Sequence, residues 1–147
     1  MRPYLDFSFL IRLLFQGRRG GKAAETLSLF EPPFFVNDLH LLQVENFTQQ
    51  TVALDPRTAP VTARCTAFWH GYLDELVFDL EAVEWNEAHR QALTLNRQAE
   101  NWPGTPTAVV HLAVAELTQA THFLSFDTHQ RALAAKRGFT ILPELIS

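Results

Sequence analysis

The amino-acid sequence predicts an α/β fold with a mainly parallel β-sheet. Short apolar runs typical of strands alternate with longer segments of helical periodicity along the 147 residues. Proline and glycine mark two of the junctions: Pro32 and Pro33 end a short helix, and Gly138 follows the last helix, where a left-handed residue is favoured. The chain shows no internal repeat and no low-complexity linker, so residues 1–147 are expected to form a single domain.

The alternation of patterns predicts each element in turn. The predicted strands are 3–7, 34–38, 77–85, 122–126 and 139–143. The predicted helices are 8–16, 23–30, 39–53, 59–76, 87–100, 108–120 and 129–138. Asp38 stands directly before the third helix, where an N-cap residue is expected. Strands separated by helices in this way pair in parallel through crossover connections.

The composition limits the classes of function. Apolar residues make up 47% of the chain and charged residues 19%, which is ordinary for a globular protein. The formal net charge of -4 argues against general electrostatic attraction to nucleic acid, although it leaves room for a local basic patch. Cys65 is the only cysteine, so no internal disulfide can form. We expect neither a signal peptide nor a membrane span, and therefore a cytoplasmic protein.

Acidic residues stand at the ends of two predicted strands. Asp6 lies near the end of the first strand, and Asp127 directly follows the fourth. Sites in open parallel sheets form beyond the carboxyl ends of the strands, so these acids are expected to converge. Glu45 lies seven residues after Asp38, on about the same face of the third helix, and is a third candidate. Clustered carboxylates need a cation or raised pKa values, and oxygen ligands suit Mg²⁺ or Mn²⁺ better than zinc.

Four segments carry a resemblance to a known family. They are YLDFSFLIRLL (4–14), LLQVENFTQQ (41–50), VVHLAVAEL (109–117) and FLSFDTHQRALAAKRGFTILP (123–143). In their order and content they resemble the PIN-domain family, and within it the VapC-like toxins of bacterial toxin–antitoxin pairs. The resemblance implies a three-layer α/β/α fold with a mainly parallel central sheet. It also implies that Asp6, Glu45 and Asp127 are the acids of the site.

One position departs from the family pattern. The family's third acid stands three residues before a histidine on the helix that VVHLAVAEL resembles. His111 is present here, but the acidic position is occupied by Ala108. The neighbouring Thr105 and Thr107 cannot replace a negative charge, although either hydroxyl can hold a metal-bound water. The departure puts catalytic competence in question.

The resemblance implies a function and its partners. It implies a Mg²⁺- or Mn²⁺-dependent endoribonuclease, in which Asp6, Glu45 and Asp127 are metal ligands at the catalytic site. A cognate antitoxin protein and a homodimer are implied with it. The alternative is a catalytically impaired PIN-fold module that binds RNA or protein, because the third acid is Ala108.

Each singled-out residue also has a simpler interpretation. An acid after a strand is more often a helix N-cap than a ligand, and Glu45 alone would most often be a solvated helix residue. We expect His111 to be packed in the core and His40 to lie at or near the surface. The cations Arg18, Arg19, Lys22, Arg131, Lys136 and Arg137 are either solvated or available to bind RNA phosphates or an acidic antitoxin surface.

Overall fold

A computed structural model of the chain describes residues 1–16 and 21–145. Over those residues the chain forms seven α-helices, one 3₁₀ helix (Pro56–Thr58) and five strands. In chain order the main elements are β1 (Pro3–Leu5), α1 (Phe7–Gln16), α2 (Gly21–Leu27), β2 (Phe34–Val36), α3 (Asp38–Leu54), α4 (Ala59–Asp74), β3 (Phe78–Leu80), α5 (Trp85–Ala99), α6 (Pro106–Leu117), β4 (His122–Leu124), α7 (Thr128–Lys136) and β5 (Thr140–Leu142). The α/β class predicted from the sequence is confirmed. The strand predicted at 77–85 is much shorter than expected.

The chain divides into two compact units. Unit 1 comprises Met1–Ser8 and Ala82–Ser147, and unit 2 comprises Phe9–Glu81. Parallel pairing, as predicted, occurs in each: unit 1 holds the sheet β1-β4-β5, and unit 2 holds the pair β2-β3.

Unit 1 is built around its three parallel strands. Leu5 pairs with Leu124, and Leu124 with Leu142, so the carboxyl ends of all three strands lie at one edge. Helix α6 is buried at every position from Val109 to Ala115, as expected for a helix that is apolar around its whole circumference. The predicted core position of His111 is confirmed, since its Nδ1 lies 2.6 Å from the Tyr4 hydroxyl in a buried hydrogen bond.

Unit 2 has an aromatic core. The ring of Phe78 lies 5.5 Å from Trp69, 5.5 Å from Tyr72 and 6.2 Å from Phe34, centroid to centroid. Phe78 and Phe34 are also paired across β2 and β3. Aromatic pairs at these separations add to the stabilisation from burial, so this cluster fixes the short two-stranded pair against α4.

The start of α3 differs from the sequence prediction. Asn37, not Asp38, is the N-cap: its side-chain oxygen accepts hydrogen bonds from the amides of Leu39 and His40 at 3.0 and 3.3 Å. The His40 ring accepts from the Asn37 amide at 3.0 Å, so the expectation that His40 lies near the surface was wrong: it is fully buried. The N-cap is the last non-helical residue, because only the side chain at that position can accept hydrogen bonds from the free amides of the first turn that follows it.

Within the described ranges, no helix combines the length and the apolar character that crossing a bilayer requires.

Candidate functional site

Asp6 lies where β1 ends, at the carboxyl edge of the unit 1 sheet. Its amide continues the pairing of β1 with β4 by donating to the carbonyl of Leu124 at 3.0 Å. Its side chain is completely buried, and its Oδ1 accepts a hydrogen bond from the Ser8 hydroxyl at 2.7 Å. A buried carboxylate held by a local hydroxyl has a fixed orientation, which is what a metal ligand or a general base needs.

Two serine hydroxyls connect the end of β1 with the end of β4. The Ser8 hydroxyl accepts from the amide of Phe126 at 2.9 Å and lies 3.4 Å from the hydroxyl of Ser125. The Ser125 hydroxyl in turn accepts from the amide of Asp127 at 3.0 Å. The predicted convergence of Asp6 and Asp127 at one edge therefore has a physical basis in unit 1, through the Ser8–Ser125 pair.

Asp127 has the simpler role considered for it from the sequence. It is the N-cap of α7, and its Oδ1 accepts from the Gln130 amide at 2.8 Å. The side chain is half-buried, in contrast with that of Asp6. Capping occupies one carboxylate oxygen and does not exclude a second role for the group, because a carboxylate has about four lone-pair sites.

Arg131 lies on α7, one turn after the Asp127 cap. Its guanidinium donates to the carbonyls of Ser125 and Pro143, both at 2.7 Å, and so ties together the chain beyond β4 and beyond β5. Burial lowers the pKa of Arg131, while the negative charge of Asp6 opposes that shift. The guanidinium therefore places a positive charge near Asp6 while it stays hydrogen-bonded to the two backbone carbonyls.

Glu45 belongs to unit 2 and has different surroundings. It is exposed on α3 and lines a cavity of about 460 Å³ that lies between α3 and α4. Thr48, Trp69 and His70 line the same cavity. Glu45 thus has the solvated helical setting of its simpler interpretation, beside a concave surface.

Ala108 occupies the third position of α6. Its amide donates to the N-cap hydroxyl of Thr105 at 3.3 Å, and its carbonyl accepts from the Gln130 side chain at 2.7 Å. The second bond joins the first turns of α6 and α7. No acidic residue stands in the first turn of α6, so this helix adds no carboxylate to the edge.

Two of the cations proposed as phosphate ligands are engaged within unit 1. Besides Arg131, Arg137 makes a two-bond contact with Glu116 at 2.6 and 2.9 Å, and the bond to Glu116 raises the pKa of Arg137. Lys136 is exposed, as the solvated interpretation expects, and Lys22 is 3.8 Å from Glu25. Arg18 and Arg19 lie outside the described residues.

The carboxyl edge of the unit 1 sheet, called the strand edge below, is where the sequence predicted a magnesium site. It offers the carboxylates of Asp6 and Asp127, with serine hydroxyls beside them. In residues 1–16 and 21–145, no three His, Cys, Asp or Glu side chains group closely enough to enclose a metal ion. Mg²⁺ does not require such enclosure, because it commonly keeps several waters and binds through one or two carboxylates together with a substrate phosphate.

Comparison of the sequence with protein-family models finds no match, and no curated protein matches it.

Sequence reasoning missed Ser125 and Arg131 as parts of this edge. Ser125 had a usable signal: Asp6 is followed two residues later by Ser8, and Asp127 is preceded by Ser125 at the same spacing. The role of Arg131 had none, since its partners are backbone carbonyls, which carry no sequence signature.

Proposed function

We propose that the protein is a metal-dependent endoribonuclease whose active site is the strand edge carrying Asp6 and Asp127. The observation that supports this most is the linkage of these two acids, through Ser8 and Ser125, at the carboxyl ends of adjacent parallel strands. Ligand sites in open parallel sheets form at this edge. The choice of RNA as substrate rests on the resemblance of the four segments to PIN-domain toxins.

The residues of the edge have separate roles in this proposal. Asp6 and Asp127 would hold Mg²⁺ or Mn²⁺, which when bound lowers the pKa of water and stabilises charge on phosphate oxygens. The Ser8 hydroxyl keeps the Asp6 carboxylate in one orientation. Asp127, the more exposed of the two acids, accepts the proton of the attacking water. The new bond joins the water oxygen to phosphorus, the bond from phosphorus to the leaving ribose oxygen breaks in line, and that oxygen takes up a proton from solvent to become a hydroxyl.

Glu45 is retained in the proposal as the third acid, on the resemblance alone. The resemblance is also the only support for the remaining parts of the proposal. These are a three-layer PIN-like fold in a single domain, a role as a toxin held inactive by a cognate antitoxin, a homodimer and a cytoplasmic location.

The proposal is tested by RNA cleavage with purified, partner-free protein in Mg²⁺ and in Mn²⁺. We expect cleavage that EDTA abolishes and that Asp6→Asn lowers at least about 100-fold, the scale seen when one preorganised hydrogen-bond donor of an active site is removed. Glu87→Gln, which neutralises an exposed acid on α5, is the matched control and should leave the rate unchanged. Cleavage that survives Asp6→Asn would refute the assignment of the active site.

A second function, an RNA- or protein-binding module without catalysis, is favoured by Ala108. The first turn of α6 has no acid, so the edge lacks one charge of the family pattern. Ala108→Asp separates the two functions. It should raise an existing activity modestly in a nuclease, and create activity in a module that has lost it. The substitution suits the site because a carboxylate in the first turn interacts favourably with the helix dipole.

A further inference from the structure

Two aromatic rings stand beside the strand edge of unit 1. Trp102 lies in the loop before α6, and His129 lies in the first turn of α7, two residues after Asp127. Their ring centroids are 6.5 Å apart at an interplanar angle of 77°. His129 is exposed and Trp102 is partly exposed. The pair therefore offers aromatic surface next to the helix that Asp127 caps.

The position of the Trp102 indole is fixed by its own loop. Its ring nitrogen donates to the carbonyl of Thr105 at 3.3 Å, which ties the ring to the N-cap residue of α6. Gly104 lies so close that a Cβ atom at this position would be 2.6 Å from the indole Cζ2. Glycine is therefore needed for the ring to rest against the backbone, and the indole is held in place before any ligand arrives.

The two helices beside this ring pair are fixed to one another. The Gln130 side chain of α7 donates to the Ala108 carbonyl of α6 at 2.7 Å. Trp102, anchored at the start of α6, and His129, at the start of α7, consequently keep their positions relative to Asp127. An aromatic surface held at fixed distance from a catalytic edge is suited to receive the base of the nucleotide whose phosphate reacts.

We infer that the Trp102 indole, with the His129 ring packed edge-on against it, forms a stacking platform for one nucleobase of a single-stranded RNA substrate. This rests on the proposed nuclease function and adds to it the form of RNA that is bound. Unpaired bases stack on aromatic side chains, and stacking needs no particular base because each base has a π face. Bases within a duplex are already stacked on their neighbours, so the platform selects single-stranded or looped RNA with little sequence preference.

Unit 1 contains a matched control pair. Trp85 and His89 on α5 have ring centroids 6.4 Å apart at 61°, and both belong to the same unit as the platform. The His89 ring is bonded to the Trp85 carbonyl at 2.7 Å, a contact internal to α5. This pair reproduces the chemistry of the platform on a helix that carries neither Asp6 nor Asp127.

The test is equilibrium binding of a fluorescent single-stranded RNA in Mg²⁺, with Asp6→Asn present so that the RNA is not cut. Adding Trp102→Ala should weaken binding about 5- to 100-fold, while Trp102→Phe should retain most of it. Trp85→Ala should have no effect. Gly104→Ala, which keeps the indole but displaces it, should weaken binding as well. The salt dependence of binding should not change with Trp102→Ala, because stacking releases no counterions.

The outcomes separate the platform from the nuclease proposal. Equal losses of RNA affinity from Trp102→Ala and Trp85→Ala would overturn the platform. The platform would also be overturned if Trp102→Ala weakened binding of an RNA of abasic nucleotides, which has phosphates but no bases, as much as it weakens binding of ordinary RNA. In either case, metal-dependent cleavage that Asp6→Asn abolishes would leave the nuclease proposal standing. Failure of the protein to bind or cleave single-stranded RNA at all would overturn both. Circular dichroism of each variant checks that the fold is retained.

Discussion

The acids that the sequence analysis named as metal ligands lie in two different settings. Asp6 and Asp127 lie at the strand edge of unit 1, and Glu45 lies at the α3–α4 cavity of unit 2. Asp6 is fully buried and bonded to Ser8, and Asp127 caps α7. Glu45 is exposed on the wall of a cavity. An acid just beyond the end of a parallel strand is placed by the sheet, whereas an acid in mid-helix is placed only by its helical face. The same chemical group, a carboxylate, is therefore preorganised in one setting and solvated in the other.

The largest expected difference in stability is between substitutions of one arginine in each unit. Arg131→Met in unit 1 removes two 2.7 Å hydrogen bonds from a charged donor to the carbonyls of Ser125 and Pro143. We expect the free energy of unfolding in urea to fall by about 2–3 kcal/mol, because part-buried acceptors lose charged partners. Arg57→Met in unit 2 is the control. Its side chain is 90% exposed in the ion pair with Asp55, and no measurable change is expected. Equal effects of the two substitutions would contradict the account.

A smaller effect is expected from the helix caps. Asp127→Ala should lower the stability of unit 1 by about 1 kcal/mol, while Asp127→Asn should be nearly neutral, since asparagine also caps helices. Asn37→Ala in unit 2 should cost more, about 2 kcal/mol, because Asn37 is buried and shares a reciprocal cap with His40. Chemical denaturation of the three variants measures this order. A stability loss in Asp127→Asn as large as in Asp127→Ala would show that the charge, and not the cap, stabilises the helix.

The smallest effect concerns the pH dependence of stability in unit 1. Burial, helped by the positive amino group of Met1, lowers the pKa of His122 below its usual 6.5. The folded state therefore binds this proton less readily than the unfolded state does. The contribution to stability is fully present above about pH 6.5 and is lost as the pH falls through the lowered pKa. His122→Asn should reduce the loss of stability between pH 8 and pH 5, as measured by urea denaturation at both values. An unchanged difference would contradict the assignment.

The sequence predicted the order and type of the elements well, because strand and helix periodicity is local. It also predicted that Asp6 and Asp127 would lie near the ends of two strands at one edge of a parallel sheet, but not that these strands, β1 and β4, would be adjacent. It did not predict that Asn37 rather than Asp38 is the cap, because both residues have the right chemistry and only the backbone decides which is the last non-helical residue. The bonds of Arg131 and the seating of Trp102 on Gly104 depend on backbone positions that residue types do not encode.

Titration of the protein with Mn²⁺, followed by electron paramagnetic resonance, tests the central claim that the strand edge binds a divalent cation. Asp127→Asn is informative here because it removes the charge and keeps the helix cap. We expect Asp6→Asn and Asp127→Asn each to weaken Mn²⁺ binding at least about tenfold, and Glu87→Gln to leave it unchanged. Unchanged binding in Asp6→Asn and Asp127→Asn, or no binding by the unaltered protein, would contradict the claim.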